Sequence, residues 1–233
     1  MGRIIIVTDL DGTLLHPKTY SFEEAASALA MIKKKNIPLV FCSSKTRAEI
    51  EVYRQRLDNG HPFISENGGG IYLPMGYFPF HKSHDQRNGY ELISLGVPYE
   101  EIRKRFVAMR DRLGIAVRGF GDMSIEEVAA LTGLTIEEAR LAKQRGVEEP
   151  FSFADKPDDR FLRESEGEGL RWTQGRFFHF MGDHHKGRAM NILRRLYEQR
   201  DGPVTTIGIG DSLNDLPLLL SVDVPVLVKK ENN

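Results

Sequence analysis

The chain has little cysteine and no long apolar run, and these absences exclude several classes of protein. Cys42 is the only cysteine among the 233 residues, which excludes an internal disulfide and a metal site built from several cysteines. No stretch approaches the roughly 18 apolar residues of a membrane-spanning helix. The first residues also lack the pattern of a signal peptide. We therefore expect a cytoplasmic protein with no membrane partner.

An excess of charge of one sign is also absent. The chain carries 32 Lys and Arg against 33 Asp and Glu, so its formal net charge is −1. This balance does not indicate a nucleic-acid partner, because such partners are bound through clustered positive charge. Its 40% apolar and 28% charged residues are typical of globular proteins. The length allows one large domain or two smaller ones.

The first third of the chain alternates between strand and helix patterns. Apolar runs at residues 4–7, 37–42 and 63–65 predict buried strands, while apolar residues at helical spacing predict helices over 22–35 and about 46–58. A capping box from Ser21 to Glu24 is expected to begin the first helix. This β-α-β-α-β order predicts a parallel sheet with right-handed crossovers.

The middle of the chain predicts a separate α+β insertion with its own apolar residues. A small hairpin is expected over 71–80, and the polar, turn-rich stretch that starts at residue 82 marks a boundary. Capping boxes that start at Ser124 and Thr135 predict two short helices, whereas the charged stretch 155–169 predicts an exposed loop. Strands are expected at 91–95, 115–117, 170–172 and 176–181. We therefore predict a core formed by residues 1–81 and 183–233, and an inserted cap formed by residues 82–182.

The end of the chain returns to the alternating pattern of the core. A helix is expected from His184, followed by a strand at 205–209 and a last strand at 224–228. The adjacent His184 and His185 are expected at the surface rather than on a metal ion, because Mg²⁺ prefers oxygen ligands. The expected helix and the two strands place the second half of the core after the insertion.

Polar groups follow predicted core strands or begin a core helix, and they are Asp9 and Asp11, Ser43, Lys186, and Asp211 with Asp215. Ligands of open α/β sheets lie beyond the carboxyl ends of the strands, so we expect these groups to meet. Carboxylates supply the hard oxygen ligands that Mg²⁺ prefers. Serine and lysine supply donors for phosphate oxygens. A carboxylate can also attack phosphorus, provided that a metal ion and a lysine screen the repulsion between the anions.

In order and position, these residues resemble the four motifs of haloacid dehalogenase-like phosphatases. The motifs are Asp9-Leu-Asp-Gly-Thr13, Ser43, Lys186 and Gly210-Asp-Ser-Leu-Asn-Asp215. The resemblance implies an α/β fold, with a Rossmann-like parallel-sheet core and an inserted α+β cap of the larger, C2, type. It also implies a nucleophile at Asp9, a general acid and base at Asp11, phosphate binding by Ser43 and Lys186, and a Mg²⁺ site formed by Asp9, Asp11, Asp211 and Asp215.

Further segments of the chain resemble the mannosyl-3-phosphoglycerate phosphatases within that superfamily. These segments are 43–50, 64–69, 76–80, 149–151 and 175–179. The resemblance implies hydrolysis of 2-O-mannosyl-3-phosphoglycerate, a small phosphorylated sugar-glycerate, to mannosylglycerate and phosphate. The carboxylate and hydroxyls of such a substrate need cationic and polar partners, and the candidates are Lys45, Arg47, Asn67, Arg176 and His179.

Two other functions stay open from the residues alone. The enzyme could act on glucosyl-3-phosphoglycerate or on another small sugar phosphate, because mannose and glucose differ at one stereocentre. A phospho-acceptor or phosphate-binding module without catalysis also places acidic residues, serine and lysine at strand ends. Such a module needs neither a second carboxylate at Asp11 nor a large cap, which favours the enzyme. The chain could act as a monomer or a homodimer.

Overall fold

The computed structural model describes residues 2–229, which form a large sheet and a smaller one with helices packed against both. The strands are β1 (Arg3–Thr8), β2 (Leu39–Cys42), β3 (Phe63–Ser65), β4 (Gly70–Pro74), β5 (Gln86–Arg87), β6 (Tyr90–Ser94), β7 (Val117–Gly119), β8 (Glu148–Phe153), β9 (Arg171–Gln174), β10 (Phe178–Met181), β11 (Val204–Gly210) and β12 (Val224–Leu227). The helices are α1 (Ala26–Lys34), α2 (Arg47–Arg56), α3 (Tyr99–Leu113), α4 (Ile125–Thr132), α5 (Ile136–Ala142), α6 (Asp159–Gly167), α7 (Lys186–Asp201) and α8 (Leu216–Leu219).

The large sheet has eight strands in the order β12-β11-β1-β2-β3-β4-β6-β5. The pairings β12–β11, β11–β1, β1–β2 and β2–β3 are parallel, and the pairings β3–β4, β4–β6 and β6–β5 are antiparallel. The carboxyl ends of the parallel strands therefore meet at one edge. The second sheet has four antiparallel strands in the order β7-β8-β10-β9. The predicted α/β class, with its parallel core sheet, is confirmed.

Helices cover both faces of the large sheet. On one face, Ile5 and Val7 of β1 pack in one cluster with Met190 and Leu193 of α7. On the other face, Phe41 and Phe63 pack with Ile50 and Tyr53 of α2. Burial on both faces explains why β1 and β2 are almost continuously apolar in sequence.

The smaller sheet has a core of its own. Phe151 and Phe180 from its strands pack with Phe106 of α3 and Phe161 of α6, and all four rings are fully buried. Capping boxes at Ser124 and Thr135 begin α4 and α5 as predicted. This unit therefore has the mixed α+β character expected of the insertion.

Three local predictions are wrong. The Oγ of Ser21 accepts a hydrogen bond from the N–H of Glu23, so the first helix begins with a 3₁₀ turn at Glu23–Ala25 instead of the expected capping box. No hairpin forms within 71–80, because β4 pairs with β3 on one side and β6 on the other. The charged stretch 155–169 contains α6 rather than a loop, because Phe161, Leu162 and Ser165 share one buried face.

The predicted boundary at residue 82 precedes two strands that hydrogen-bond to the large sheet. Strands β5 and β6 lie within the predicted cap range, yet they continue the sheet of the core beyond β4. The division into a core of 1–81 and 183–233 and a cap of 82–182 stays a prediction. Across residues 2–229, no helix combines the length and apolarity that crossing a membrane would require.

Candidate active site

The four motifs meet at the carboxyl edge of the parallel strands. Asp9 follows β1, Ser43 follows β2, Asp211 follows β11, and Lys186 is the first residue of α7. A carboxylate oxygen from each of Asp9, Asp211 and Asp215 lies within 4.8 Å of the others. The residues that the sequence places about 200 positions apart are therefore neighbours in the fold.

Lys186 lies between two of these carboxylates and is completely buried. Its Nζ donates to Asp9 Oδ1 at 2.7 Å and to Asp215 Oδ1 at 2.6 Å. Burial opposes the charged ammonium, but the two carboxylates outweigh burial and raise the pKa of Lys186 above its ordinary value. The lysine is thus held as a cation at the point where anions converge.

Asp9 is only 4% exposed. Its burial raises its pKa to about 7, and the nearby Asp215 adds to this effect while Lys186 opposes it. Three carboxylates and one ammonium leave the cluster with excess negative charge. A further cation would therefore stabilise the ionised form of Asp9.

The donor set of the cluster fits a divalent cation. Carboxylate oxygens are the ligands that Mg²⁺ prefers. Gly12 adds a second indication, because a Cβ at this residue would lie 2.7 Å from Asp211 Oδ2 and its φ is +77°. A side chain there would occupy the space beside a prospective ligand and would strain the backbone. The glycine thus keeps this side of the cluster open.

Asp215 also organises the loop that carries Asp211. Its Oδ2 accepts hydrogen bonds from the N–H groups of Asp211 at 3.0 Å and Ser212 at 3.1 Å. The Oδ1 of Asp211 accepts from the hydroxyls of Ser212 at 2.9 Å and Thr13 at 3.4 Å. These contacts hold the Asp211 carboxylate beside the loop that follows β1.

The side chain of Asp11 has a different environment from the three clustered carboxylates. Its Oδ2 lies 3.0 Å from Lys45 Nζ, and within residues 2–229 its Oδ1 is buried without a hydrogen-bond partner. The metal-ligand group formed by described residues contains Asp9, Asp211 and Asp215, and it does not contain Asp11. A metal-binding part for Asp11 stays a prediction.

Ser43 directly follows β2 and is 1% exposed. Its N–H donates to Ile64 O at 3.1 Å, which continues the pairing of β2 with β3. Its Oγ accepts a hydrogen bond from the N–H of Lys45 at 3.3 Å. These contacts place the Ser43 hydroxyl in the first turn after β2. Its contact with phosphate stays a prediction.

A cavity of about 810 Å³ lies above the cluster, between the edge of the large sheet and the smaller sheet. Of the predicted substrate-binding residues, Lys45, Arg176 and His179 line it. Arg47 and Asn67 do not: Arg47 pairs with Glu51 one turn along α2, and Asn67 is buried. The structure thus brings three of these side chains to the cavity and leaves two outside its lining.

Arg145 lines the cavity and was missed by sequence reasoning. It lies in the loop before β8, and its Nη1 donates to Ser44 O at 2.7 Å and to Glu148 Oε1 at 2.8 Å. Its Nη2 is 3.6 Å from Glu49 Oε2 in α2. No periodic pattern or motif marks this arginine among the many charged residues of the middle stretch, so only the fold reveals it.

A hydrogen-bonded chain joins the smaller sheet to the last motif. His179 Nδ1 contacts Glu148 Oε1 at 3.1 Å, and Asn67 Nδ2 donates to Glu148 Oε2 at 2.8 Å. Asn214 Nδ2 then donates to Asn67 Oδ1 at 3.0 Å. His179 and Arg145 lower the pKa of Glu148 and thus outweigh its burial, so the carboxylate is the charged acceptor of the chain. Asn214 belongs to the quoted Gly210–Asp215 motif, and the motif itself is the signal that could have identified it.

His184 corrects another expectation. It was expected at the surface, but it is 1% exposed and its Nε2 lies 3.2 Å from Glu66 O. The Glu66 carboxylate in turn accepts the N–H groups of Gly146, Val147 and Glu148 at 2.9–3.1 Å. His184 therefore supports the turn that ties the large sheet to the loop before β8.

Comparisons with known proteins show which family the chain belongs to. A family model described as haloacid dehalogenase-like hydrolase matches residues 6–100. A protein of Methanococcoides burtonii, named glucosyl-3-phosphoglycerate/mannosyl-3-phosphoglycerate phosphatase, is 45% identical over 230 residues, covering 97% of this chain and 85% of that protein. The mannosyl-3-phosphoglycerate phosphatase of Pyrococcus furiosus is 37% identical, covering 96% of this chain and 90% of that protein.

The fold is shared with solved structures at lower identity. A structure from Thermoplasma acidophilum aligns with a TM-score of 0.68 and 20% identity, covering 96% of this chain and 83% of that one. This likeness concerns the fold alone. The two relatives above, in contrast, are similar in sequence over nearly the whole chain. The chain belongs to the haloacid dehalogenase-like hydrolase family.

Proposed function

We propose that this protein is a Mg²⁺-dependent phosphatase that hydrolyses 2-O-mannosyl-3-phosphoglycerate to mannosylglycerate and phosphate. One observation carries the reaction type: the buried Lys186 bridges Asp9 and Asp215, with Asp211 beside them. A carboxylate nucleophile, a fixed cation and further acidic ligands are the groups that transfer of a phosphoryl group to a carboxylate requires.

The first step forms an aspartyl-phosphate. A carboxylate oxygen of Asp9 attacks phosphorus, and the bond from phosphorus to the glycerate oxygen breaks. Asp11 donates a proton to the departing oxygen, so the sugar-glycerate leaves as an alcohol. Lys186 stays charged next to Asp9 and offsets the repulsion between the nucleophile and the phosphoryl oxygens.

The second step releases phosphate. Asp11, now a carboxylate, takes a proton from a water molecule, whose oxygen attacks the phosphorus of the aspartyl-phosphate. The bond from phosphorus to Asp9 breaks, and the Asp9 carboxylate and the protonated Asp11 are restored. The two steps together consume one water molecule for each ester cleaved.

Asp9, Asp211 and Asp215 are the residues that would hold a Mg²⁺ ion. Their oxygen donors and their excess negative charge support this assignment. The bound ion would supply electrostatic stabilisation for the charge on the phosphoryl oxygens. Ser43, at the end of β2, would add a hydroxyl donor for one of these oxygens.

The mannosyl substrate is supported by the relatives and by the charges in the cavity. Both named relatives act, by their names, on mannosyl-3-phosphoglycerate. Arg145, Arg176 and His179 line the cavity from the cap side, where they could meet the glycerate carboxylate. The guanidinium of Arg176 donates to Thr132 O at 2.7 Å and Tyr20 OH at 3.2 Å, both neutral acceptors. Its positive charge would therefore attract a substrate anion.

Glucosyl-3-phosphoglycerate is the second candidate substrate. The observation that favours it is the name of the relative at 45% identity, which includes both sugars. Such an enzyme would accept either configuration at one stereocentre of the sugar. We also propose that the protein acts in the cytoplasm, a reducing compartment in which the buried thiol of Cys42 would stay free.

A substrate panel tests the proposal. We would measure kcat/KM with Mg²⁺ for mannosyl- and glucosyl-3-phosphoglycerate, free 3-phosphoglycerate and mannose 6-phosphate. The mannosyl ester is expected to be the best substrate, with the glucosyl ester next. Equal rates on all four esters would overturn the assignment of mannosyl-3-phosphoglycerate as the substrate. If none of the four is hydrolysed, the proposal that the protein is a phosphatase is wrong.

A further inference from the structure

Lys45 connects the acid Asp11 to the first turn of α2. Its Nζ lies 3.0 Å from Asp11 Oδ2 and 3.5 Å from Glu49 Oε1. The ammonium also lies over the rings of Tyr20 at 5.1 Å and Tyr53 at 5.9 Å. Lys45 is 5% exposed, so these contacts surround the charge and leave little of it to solvent.

Glu49 is itself fixed from two directions. Its Oε2 accepts the N–H of Thr46 at 2.8 Å, and its N–H donates to the Thr46 hydroxyl at 3.1 Å, which together make the capping box of α2. From the cap side, Arg145 Nη2 lies 3.6 Å from the same Oε2. Charges therefore alternate from Asp11 through Lys45 and Glu49 to Arg145.

This arrangement fixes the direction of the Asp11 carboxyl group. Lys45 engages Oδ2, whereas within residues 2–229 Oδ1 is buried without a hydrogen-bond partner. The Asp11 side chain is nevertheless 41% exposed and lines the cavity. A carboxyl group held by an ion pair keeps a constant direction towards the cavity, which is what a proton donor needs.

We propose that Lys45 is a positioning residue for Asp11, and that Glu49 and the cap residue Arg145 hold it in place. The inference rests on the proposed function, because it assigns a purpose to the acid of that reaction. Lys45 acts through Asp11 and not as a partner of the substrate carboxylate. It also links the position of Asp11 to the packing of the loop that carries Arg145.

The dependence of the rate on the leaving group shows whether Lys45 positions Asp11 or attracts the phosphate group. An alkyl phosphate expels an alkoxide, which needs the proton from Asp11. A p-nitrophenyl phosphate expels a stabilised phenolate, which leaves without one. Both esters carry the same phosphoryl dianion, so a general loss of attraction for phosphate would affect both alike.

The test compares wild-type protein with Lys45→Met and Lys45→Arg at saturating Mg²⁺, using kcat/KM. This quantity covers the steps up to departure of the leaving group, and so it excludes hydrolysis of the aspartyl-phosphate. The probes are glycerol 3-phosphate, 3-phosphoglycerate, the mannosyl ester and p-nitrophenyl phosphate. Lys45→Met is expected to lose about 100-fold on the alkyl esters and less than about 3-fold on p-nitrophenyl phosphate.

Controls make the outcome specific. Asp11→Asn should show the same dependence on the leaving group, and Lys45→Arg should recover part of the loss because it keeps a cation near Asp11. Lys33→Met, which removes an exposed lysine paired with Asp58, should behave as wild type on every ester. Retained cleavage of p-nitrophenyl phosphate also shows that the variant is folded. If Lys45→Met does not fold, Glu49→Gln is measured instead and should show a weaker form of the same pattern.

Two results would overturn the positioning assignment. Equal losses on alkyl and nitrophenyl esters would show that Lys45 does not act through proton donation. A loss confined to 3-phosphoglycerate and the mannosyl ester, with glycerol 3-phosphate unaffected, would show that Lys45 binds the carboxylate. Wild-type protein that cleaves none of the esters would instead overturn the proposed function, together with this assignment.

Discussion

Replacing the proposed nucleophile should abolish activity and yet stabilise the metal-free protein above neutral pH. In Asp9→Asn the amide is nearly the same size as the carboxyl group, but it carries no charge. In the wild-type protein, burial raises the pKa of Asp9 from 3.8 to about 7. The folded state therefore keeps this proton at a higher pH than the unfolded chain does. This contribution to stability is fully present below about pH 4, and it is lost as the pH rises through about 7.

The size of the effect follows from that difference. One pKa unit corresponds to about 1.4 kcal/mol, so ionising Asp9 costs the folded protein about 4 kcal/mol at pH 8. The neutral amide avoids this cost, and it accepts a hydrogen bond from Lys186 much as the protonated carboxyl group does. We therefore expect metal-free Asp9→Asn to be about 4 kcal/mol more stable than wild type at pH 8, and of similar stability at pH 4.

Urea unfolding followed by circular dichroism, with EDTA and at several pH values, measures the difference. Adding Mg²⁺ should then stabilise wild type more than the variant, because the variant lacks one of the proposed ligands and a bound ion adds about 2.7 kcal/mol at 100 times its Kd. Asp58→Asn is a matched control, since Asp58 is exposed and pairs with Lys33. Equal pH dependence in wild type and Asp9→Asn would refute the electrostatic reasoning, and full activity of the variant would refute the mechanism.

Three further predictions concern single side chains. Gly12→Ala should lower phosphatase activity at least about 10-fold and weaken Mg²⁺ activation, because the new Cβ would lie 2.7 Å from Asp211 Oδ2 at a residue with φ of +77°; unchanged Mg²⁺ dependence would contradict this reading. Phe161→Ala should lower the free energy of unfolding by about 3 to 5 kcal/mol in urea titrations, because it empties the aromatic core around Phe106; a loss below about 1 kcal/mol would mean that α6 is not packed as described. Burial lowers the pKa of His61 to about 4, so its contribution to stability is present above about pH 6.5 and is lost as the pH falls through about 4. His61→Gln should therefore lose less stability than wild type between pH 7 and pH 4, and parallel pH profiles would exclude His61 as a cause of acid unfolding.

Much of the core was predictable because its signals are local. The apolar β-branched run before Asp9 needs no distant residue to be recognised as a buried strand, and the same holds for the capping boxes at Ser124 and Thr135. The motif residues follow these elements directly. Once a parallel sheet is expected, the topology alone brings Asp9, Ser43 and Asp211 to one edge.

Errors arose where structure depends on contacts between distant residues. Helix α6 was not predicted because Phe161 and Leu162 are only two apolar residues in a charged stretch. Their burial depends on packing against α3 and the smaller sheet. The expected hairpin over 71–80 failed for a similar reason, since the partners of β4 are β3 and β6. In both cases the tertiary environment overrode the local pattern.

The residues that line the cavity from the cap side were also only partly predictable from sequence. Arg176 and His179 were predicted from a resemblance and do line the cavity, but Arg145 lay in a stretch that carries no motif. Its significance comes from contacts with Ser44 and Glu49, which are 101 and 96 positions away along the chain. No spacing rule connects residues that meet only because a loop of the cap rests on the second motif.

The sequence by itself determined the class of fold, the order of the core elements and the identity of the motif residues, because strand runs and residue types can be read locally. Only the tertiary structure decided which groups share a charge environment. It separated Asp11, which faces Lys45, from the cluster of Asp9, Asp211 and Asp215 around Lys186. The reason is physical: electrostatic interactions depend on distance and burial, and both are set by the packing of strands and loops that the chain separates by up to 200 residues.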